Sequence, residues 1–197
     1  MTKKIIITGG LGYIGTELCK IYSGISWNNE IIVIDNRFIS ERVNQLRNWN
    51  INFIHGDILD RDFVLKNFND SDIVHHLAGI TDVPRIKSES NNEKDEKIKI
   101  VAEQGTQNIL DAIPSKCKII FPSTHVVYEG IDIVKKDIRE NEPTKPILSY
   151  ASSKAINEKQ LRESGKNYII LRLGSVYGYS LDTARIDIMP NLFSKIA

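Results

Sequence analysis

TGGLGYIGTEL, residues 8–18, follows directly on the apolar run KIIIT and opens a stretch of helical character. Gly9, Gly12 and Gly15 are spaced GxxGxxG. One glycine permits the tight turn out of a strand, another lets backbone amides approach an anion, and a third lets the helix lie close on the sheet. The helix N-terminus beyond such a turn favours phosphate charge. Three glycines alone make only a strand-to-helix corner. Asp35 gives the corner a meaning, because it closes the next apolar run, IIVID, 20 residues beyond Gly15, where a carboxylate accepts hydrogen bonds from an adenosine ribose. The two features together point to a dinucleotide, and the Asp35 charge favours NAD over NADP by repelling a 2'-phosphate. Arg37 acts in the opposite sense, since a guanidinium pairs readily with that phosphate. Asn36 shares this turn and is grouped with the cofactor residues. In HGDILD, Asp57 and Ile58 follow the third apolar run and suit an adenine; a plain turn followed by a helix cap explains them nearly as well.

Outward from this corner, short β-branched runs recur: IIVID near 33, INFIH near 53, DIVHHLA near 75, KIIFP near 119 and YIILRL near 170. Runs apolar at every position suit strands buried on both faces, as in a parallel sheet. Ile98, Val101, Gly105, Ile109 and Ala112 recur at helical spacing, which predicts a long helix ending before Pro114. Strands alternating with helices predict an α/β protein with a doubly wound parallel sheet. SESNNEKDEK (88–97) reads as a loop and the solvated first turns of the long helix, and EGIDIVKKDIRENEPTKP as a surface excursion after the fifth strand.

Composition narrows the function. The chain has 197 residues, with 26 Lys and Arg against 25 Asp and Glu, a formal charge of +1 that supplies no field for nucleic acid or an anionic membrane. Cys19 and Cys117 lack metal-type spacing and read as buried thiols in a reducing compartment. No apolar run has the length of a signal peptide core or a membrane span, so a cytoplasmic location is expected. His55, His75 and His76 have no convincing metal partners, and no metal is expected.

SYASSK, residues 149–154, sets Tyr150 and Lys154 four positions apart at the start of a predicted helix, on one face. A phenol with a pKa near 10 must lose roughly three units to act as a base near neutrality, about 4 kcal/mol. A lysine ammonium and a cationic nicotinamide both favour the phenolate. A Tyr-x-x-x-Lys spacing alone is common; here it follows a strand ending in FPSTHVVYEG, in a chain that already carries a dinucleotide corner.

GGLGYIG, Asp35, HLAG, PSTHVVY, YASSK and LRLGSVYG stand in the order and approximate spacing of the extended short-chain dehydrogenase/reductase superfamily. More narrowly, the chain resembles an NAD-dependent epimerase/dehydratase acting on nucleotide sugars, with a Rossmann core. The resemblance implies that Thr124 hydrogen-bonds the reacting sugar hydroxyl, that Tyr150 is the base, and that Lys154 binds the nicotinamide ribose while lowering the tyrosine pKa. It implies that Ser123 helps line the nicotinamide pocket, that Leu77, Ala78 and Gly79 pass beside the cofactor, and that Tyr13 and Ile14 turn amides toward the pyrophosphate. Thr81, His125 and Ser175 fall on the substrate side, with His125 either a catalytic acid or a pocket wall.

The implied reaction removes a hydroxyl proton through Tyr150 while hydride passes to NAD, giving a keto-sugar. Hydride return to the other face gives an epimer, and loss of water or carbon dioxide first gives a dehydratase or decarboxylase. The 4,6-dehydratases of this family commonly carry Asp-Glu after the active-site threonine, where this chain has His125 and Val126; this favours an epimerase, and HLAGITDV is similar to the stretch in UDP-galactose 4-epimerases. Ala102 and Ser175 replace asparagines usual in the family. Another extended-family dehydrogenase and a non-catalytic NAD-binding protein remain alternatives. Family members continue into a smaller lobe that holds the sugar nucleotide, whereas this chain stops at PNLFSKIA. The expectation is a Rossmann domain over 1–177 carrying cofactor and catalytic residues, then the beginning of a truncated lobe over 178–197, with the C-terminal substrate lobe largely absent. A homodimer is a further expectation from the resemblance.

Overall fold

In the computed structural model, residues 2–25, 28–81, 91–180 and 189–196 are described. Six parallel strands, β1 (Lys4–Thr8), β2 (Glu30–Asp35), β3 (Asn52–His55), β4 (Ile73–His76), β5 (Lys118–Thr124) and β6 (Asn167–Leu173), form one sheet in the order β3-β2-β1-β4-β5-β6. Helices α1 (Tyr13–Ser23), α2 (Ser40–Asn48), α3 (Arg61–Phe68), α4 (Asn92–Ala112) and α5 (Ser149–Glu163) lie between them, and α6 spans Met189–Ile196.

Strand β1 shows why its run is apolar at every position. Ile5, Ile6 and Ile7 are all fully buried, and successive side chains leave a strand on opposite faces. Ile6 enters a core with Val64 and Phe68 of α3, Ile109 of α4 and Leu161 of α5. Ile5 and Ile7 enter a second core with Cys19 of α1 and Val43 and Leu46 of α2. Two cores on two faces of one sheet are the doubly wound arrangement that the runs imply. Both cysteines are free and buried, and burial pushes the Cys19 thiol up to about 12.

The crossovers end where their sequence demands. Asn91 accepts the Lys94 amide at 2.8 Å and opens α4; Asp60 accepts the Phe63 amide at 3.0 Å and opens α3. Helix α4 closes before Pro114, as its periodicity indicates. Gly105 packs against the segment after β3, where an added Cβ would come within 2.4 Å of Ile58. The chain runs outward from β1 to β3, then returns to β4 beside β1 and runs out the other way. The carboxyl ends of β1 and β4 therefore flank the point where strand order reverses, which is where such sheets bind ligands. Among the described residues no helix is long and apolar enough to cross a membrane.

Candidate active site

The glycine corner is built at that reversal. Gly9 has φ +67° and its amide donates to the Ile34 carbonyl at 2.8 Å, tying the end of β1 to β2. A Cβ on Gly9 would sit 2.8 Å from Ala78, and one on Gly15 would sit 2.6 Å from the Gly9 carbonyl oxygen, so neither position has room for a side chain. Gly12 precedes α1 without a side-chain cap, and the first turn, with Tyr13 and Ile14, carries no acidic residue. Leu77, Ala78 and Gly79 run alongside: the Leu77 amide donates to the Thr8 carbonyl at 3.2 Å and the Ala78 amide to Thr8 Oγ1 at 3.1 Å. A glycine-rich turn at a helix N-terminus fits a pyrophosphate.

Asp35 is buried at the end of β2, its Oδ2 accepting the Leu11 amide at 3.1 Å. Arg37 folds back on it, Nε donating to Oδ1 at 3.2 Å. Asn36 Nδ2 donates to Asp57 Oδ2 at 3.0 Å, so these two residues of the expected cofactor site are in contact. Asp57 also makes the turn that explains its type without any ligand, accepting the Leu59 amide at 2.9 Å. The Ile58 side chain lies in the core, and its carbonyl accepts from Asn108 Nδ2 of α4 at 2.9 Å.

At the other side of the reversal, β5 delivers Thr124 and α5 delivers Tyr150 and Lys154. Lys154 Nζ donates to the Pro122 carbonyl at 2.9 Å and lies 4.4 Å from the Phe121 ring centroid and 5.8 Å from that of Tyr150. Burial pulls the Lys154 pKa down to about 8, which still leaves it mostly charged at neutral pH, as a phenolate partner needs to be. Thr124 is nearly buried and its oxygen accepts the Val126 amide at 3.3 Å. Its hydroxyl proton is then free to be donated elsewhere. Ser123 points the other way along the pleat, its hydroxyl donating to Glu158 Oε1 at 2.6 Å. His125 Nδ1 lies 3.1 Å from the Leu173 carbonyl, which ties it to the end of β6. Ser175 is exposed just beyond β6, and Thr81 is exposed at the edge of the described segment after β4.

A match to the model of the NAD dependent epimerase/dehydratase family covers residues 5–197. The chain belongs to this family. A Methanocaldococcus jannaschii protein provisionally assigned as a UDP-glucose 4-epimerase is 33% identical over 186 residues, covering 90% of this chain and 57% of the relative. The dTDP-D-glucose 4,6-dehydratase of Dictyostelium discoideum is 31% identical over 199 residues, covering 89% of this chain and 44% of the relative. Among solved structures, UDP-glucose 4-epimerase from Brucella ovis in complex with NAD matches with a TM-score of 0.74 at 27% identity, covering 92% of this chain and 55% of that one. The chain thus spans about half the length of the family members it matches.

Three features of this family member are absent from the motif reading. Glu158, fully buried, receives Arg172 through Nε at 2.9 Å and Nη2 at 2.6 Å, and Arg162 at 2.7 Å. The available signal was its place at i+4 from Lys154, one turn further along the same helix face. Ala102, where an asparagine is usual, does not leave α4 and α5 unstitched: Asn157 Nδ2 donates to the Ala102 carbonyl at 2.9 Å. His76, which the sequence leaves without a role, is buried between Thr8 Oγ1 at 3.1 Å and Thr106 Oγ1 at 2.9 Å.

His76 and His75 make stability depend on pH. Burial, reinforced by the Lys154 charge, pulls the His76 pKa down to about 3, and burial pulls that of His75 down to about 4. Both folded values lie below the ordinary 6.5 of the unfolded chain, so the unfolded state binds more protons in acid. Their contribution is present above about pH 6.5 and is lost as pH falls toward 3, roughly 3–5 kcal/mol by pH 4.5. Urea unfolding at pH 7, 5.5 and 4.5 should show midpoints falling in that order. A flat profile would mean the imidazoles charge inside the folded chain.

Proposed function

We propose that the chain is the cofactor-binding and catalytic part of an NAD-dependent nucleotide-sugar epimerase, with 4-epimerisation favoured. The observation that carries this reading is convergence: the glycine corner and Asp35 stand on one side of the strand-order reversal, and on the other Lys154 lies 5.8 Å from the Tyr150 ring and bonds Pro122, two residues before Thr124 on β5. NAD, when bound, accepts and returns hydride at the sugar carbon. Gly9, Gly12, Tyr13, Ile14 and Gly15 would hold its pyrophosphate, Asp35 its adenosine ribose, and Lys154 its nicotinamide ribose. Tyr150 takes the hydroxyl proton of the sugar, and Thr124 donates its own proton to orient that oxygen. Lys154, anchored to the Pro122 carbonyl, keeps a positive charge beside the Tyr150 ring and favours its phenolate. Residues 1–177 would form this unit and 178–197 the start of a substrate-binding lobe. The pairing of His125 and Val126 after Thr124 supports epimerisation, since His125 is tied to the β6 backbone and Val126 offers no proton.

The test is product analysis by NMR after incubation with NAD and UDP-, dTDP-, GDP- and CDP-sugars. A stereoisomer at the sugar ring is the expected product. A 4-keto-6-deoxy sugar would replace the epimerase reading with a dehydratase.

A further inference from the structure

We infer that Arg37 adapts the adenosine ribose site to a dinucleotide bearing a 2'-phosphate, so that NADP binds as well as NAD. This rests on the proposed dinucleotide site. The Asp35 carboxylate is the group that would repel that phosphate, and in this chain it is already engaged on every side. Oδ2 accepts the Leu11 amide at 3.1 Å and Arg37 Nη2 at 3.4 Å; Oδ1 accepts the Arg37 amide at 3.0 Å and Arg37 Nε at 3.2 Å. An ionised carboxylate has about four acceptor positions, so an arriving ribose must share them with Arg37. The ion pair also offsets the charge that makes an aspartate at this position selective.

The guanidinium is placed to do more than neutralise. Its side chain is 54% exposed against 4% for Asp35, so the pair presents its cationic side to solvent. Nη2 lies 3.8 Å from where a Cβ on Gly12 would stand, so the guanidinium overhangs the glycine corner itself. A planar fork with donors left over beyond Asp35 suits a phosphate monoester, which it can grip through two parallel bonds. A second carboxylate of the expected cofactor site, Asp57, is bonded to Asn36 Nδ2 at 3.0 Å and to the Leu59 amide at 2.9 Å. It is thereby turned to its own loop.

The experiment is calorimetric titration of NAD and of NADP, at one fixed ionic strength, into the protein and into Arg37→Ala. Arg37 is half exposed and outside both cores, so the variant should keep its fold, and an unchanged Tm checks this. The unmodified protein should bind NADP with a Kd within about tenfold of that for NAD, and Arg37→Ala should raise the NADP-to-NAD ratio of Kd values by about 10- to 100-fold. NAD affinity itself should stay the same or improve, because Asp35 is released to the ribose. NAD binding without measurable NADP binding, or a ratio that moves less than about threefold in the variant, overturns this inference alone. Failure of the unmodified protein to bind either dinucleotide overturns the underlying site as well.

Discussion

Tyr150→Phe should lower turnover by roughly 10²- to 10⁴-fold, the usual contribution of a positioned acid–base group. The substitution removes one oxygen and keeps the ring that packs 5.8 Å from Lys154 Nζ, so the helix start and the lysine anchor at Pro122 survive. NAD affinity should then change less than about threefold while kcat collapses, the signature of an interaction made only in the transition state. Thr124→Ala should give a smaller loss, because in the proposed mechanism it orients the sugar oxygen without accepting its proton. Full turnover in Tyr150→Phe would remove Tyr150 from the chemistry, and no turnover in either protein with NAD still bound would leave the chain as a dinucleotide-binding protein. Parallel titration with NAD separates a loss of chemistry from simple loss of the fold.

Glu158→Ala should be the most destabilising single change at the site. The carboxylate is completely buried and joins Ser123 of β5, Arg172 of β6 and Arg162 of α5. Burial by itself would raise its pKa, and the bonds from Arg172, Ser123 and Arg162 outweigh that and hold it below the usual carboxylate range. Removing it leaves Arg172, only 13% exposed, facing a cavity without its counter-charge. Breaking a buried pair in this way costs about 3–5 kcal/mol. For a chain of this size that is a fall in Tm of roughly 6–20 °C. Glu158→Gln keeps an acceptor for Ser123 and should lose less. A Tm drop under about 2 °C for the alanine variant would show that the cluster contributes nothing net. Because the folded carboxyl pKa is depressed, this contribution is present above the unfolded pKa near 4.5 and fades as pH falls below it, adding to the acid sensitivity of His75 and His76.

The cluster also bears on catalysis. Ser123 is the neighbour of Thr124 on β5, and Glu158 lies one turn beyond Lys154 on α5, so the same carboxylate fastens both elements that carry the proposed catalytic residues. Arg172 extends the fastening to the excursion after β5, donating to the Glu140 carbonyl at 3.0 Å and to the Tyr128 hydroxyl. That excursion is otherwise an exposed loop whose two ends meet, Gly130 donating to the Lys145 carbonyl at 2.8 Å and Lys145 to that of Val127 at 2.8 Å. Its closure leads into α5, with Glu129 Oε1 accepting the Ile147 and Leu148 amides, each at 2.7 Å, just ahead of the helix.

The strands, the glycine corner, the long helix and the Tyr150–Lys154 spacing were all legible in the amino-acid order, because each is a property of neighbours. Burial on both faces writes an unbroken β-branched run; a tight turn writes glycines; a shared helix face writes a four-residue spacing. What the order of residues could not disclose is which side chains meet across the sheet. Thr8 and His76 touch although 68 positions apart, Ser123 reaches Glu158 across 35, and Ile58 turns inward under Gly105 when its local sequence fits a nucleotide contact equally well. The Asp35–Arg37 pair was adjacent enough to be noticed, yet that the arginine closes over the carboxylate is a matter of how β2 ends against the glycine corner. Local pattern records only whether a position is buried and in what conformation. Partner choice depends on strand order, and that order is settled by the crossovers and by two cores that must both be filled.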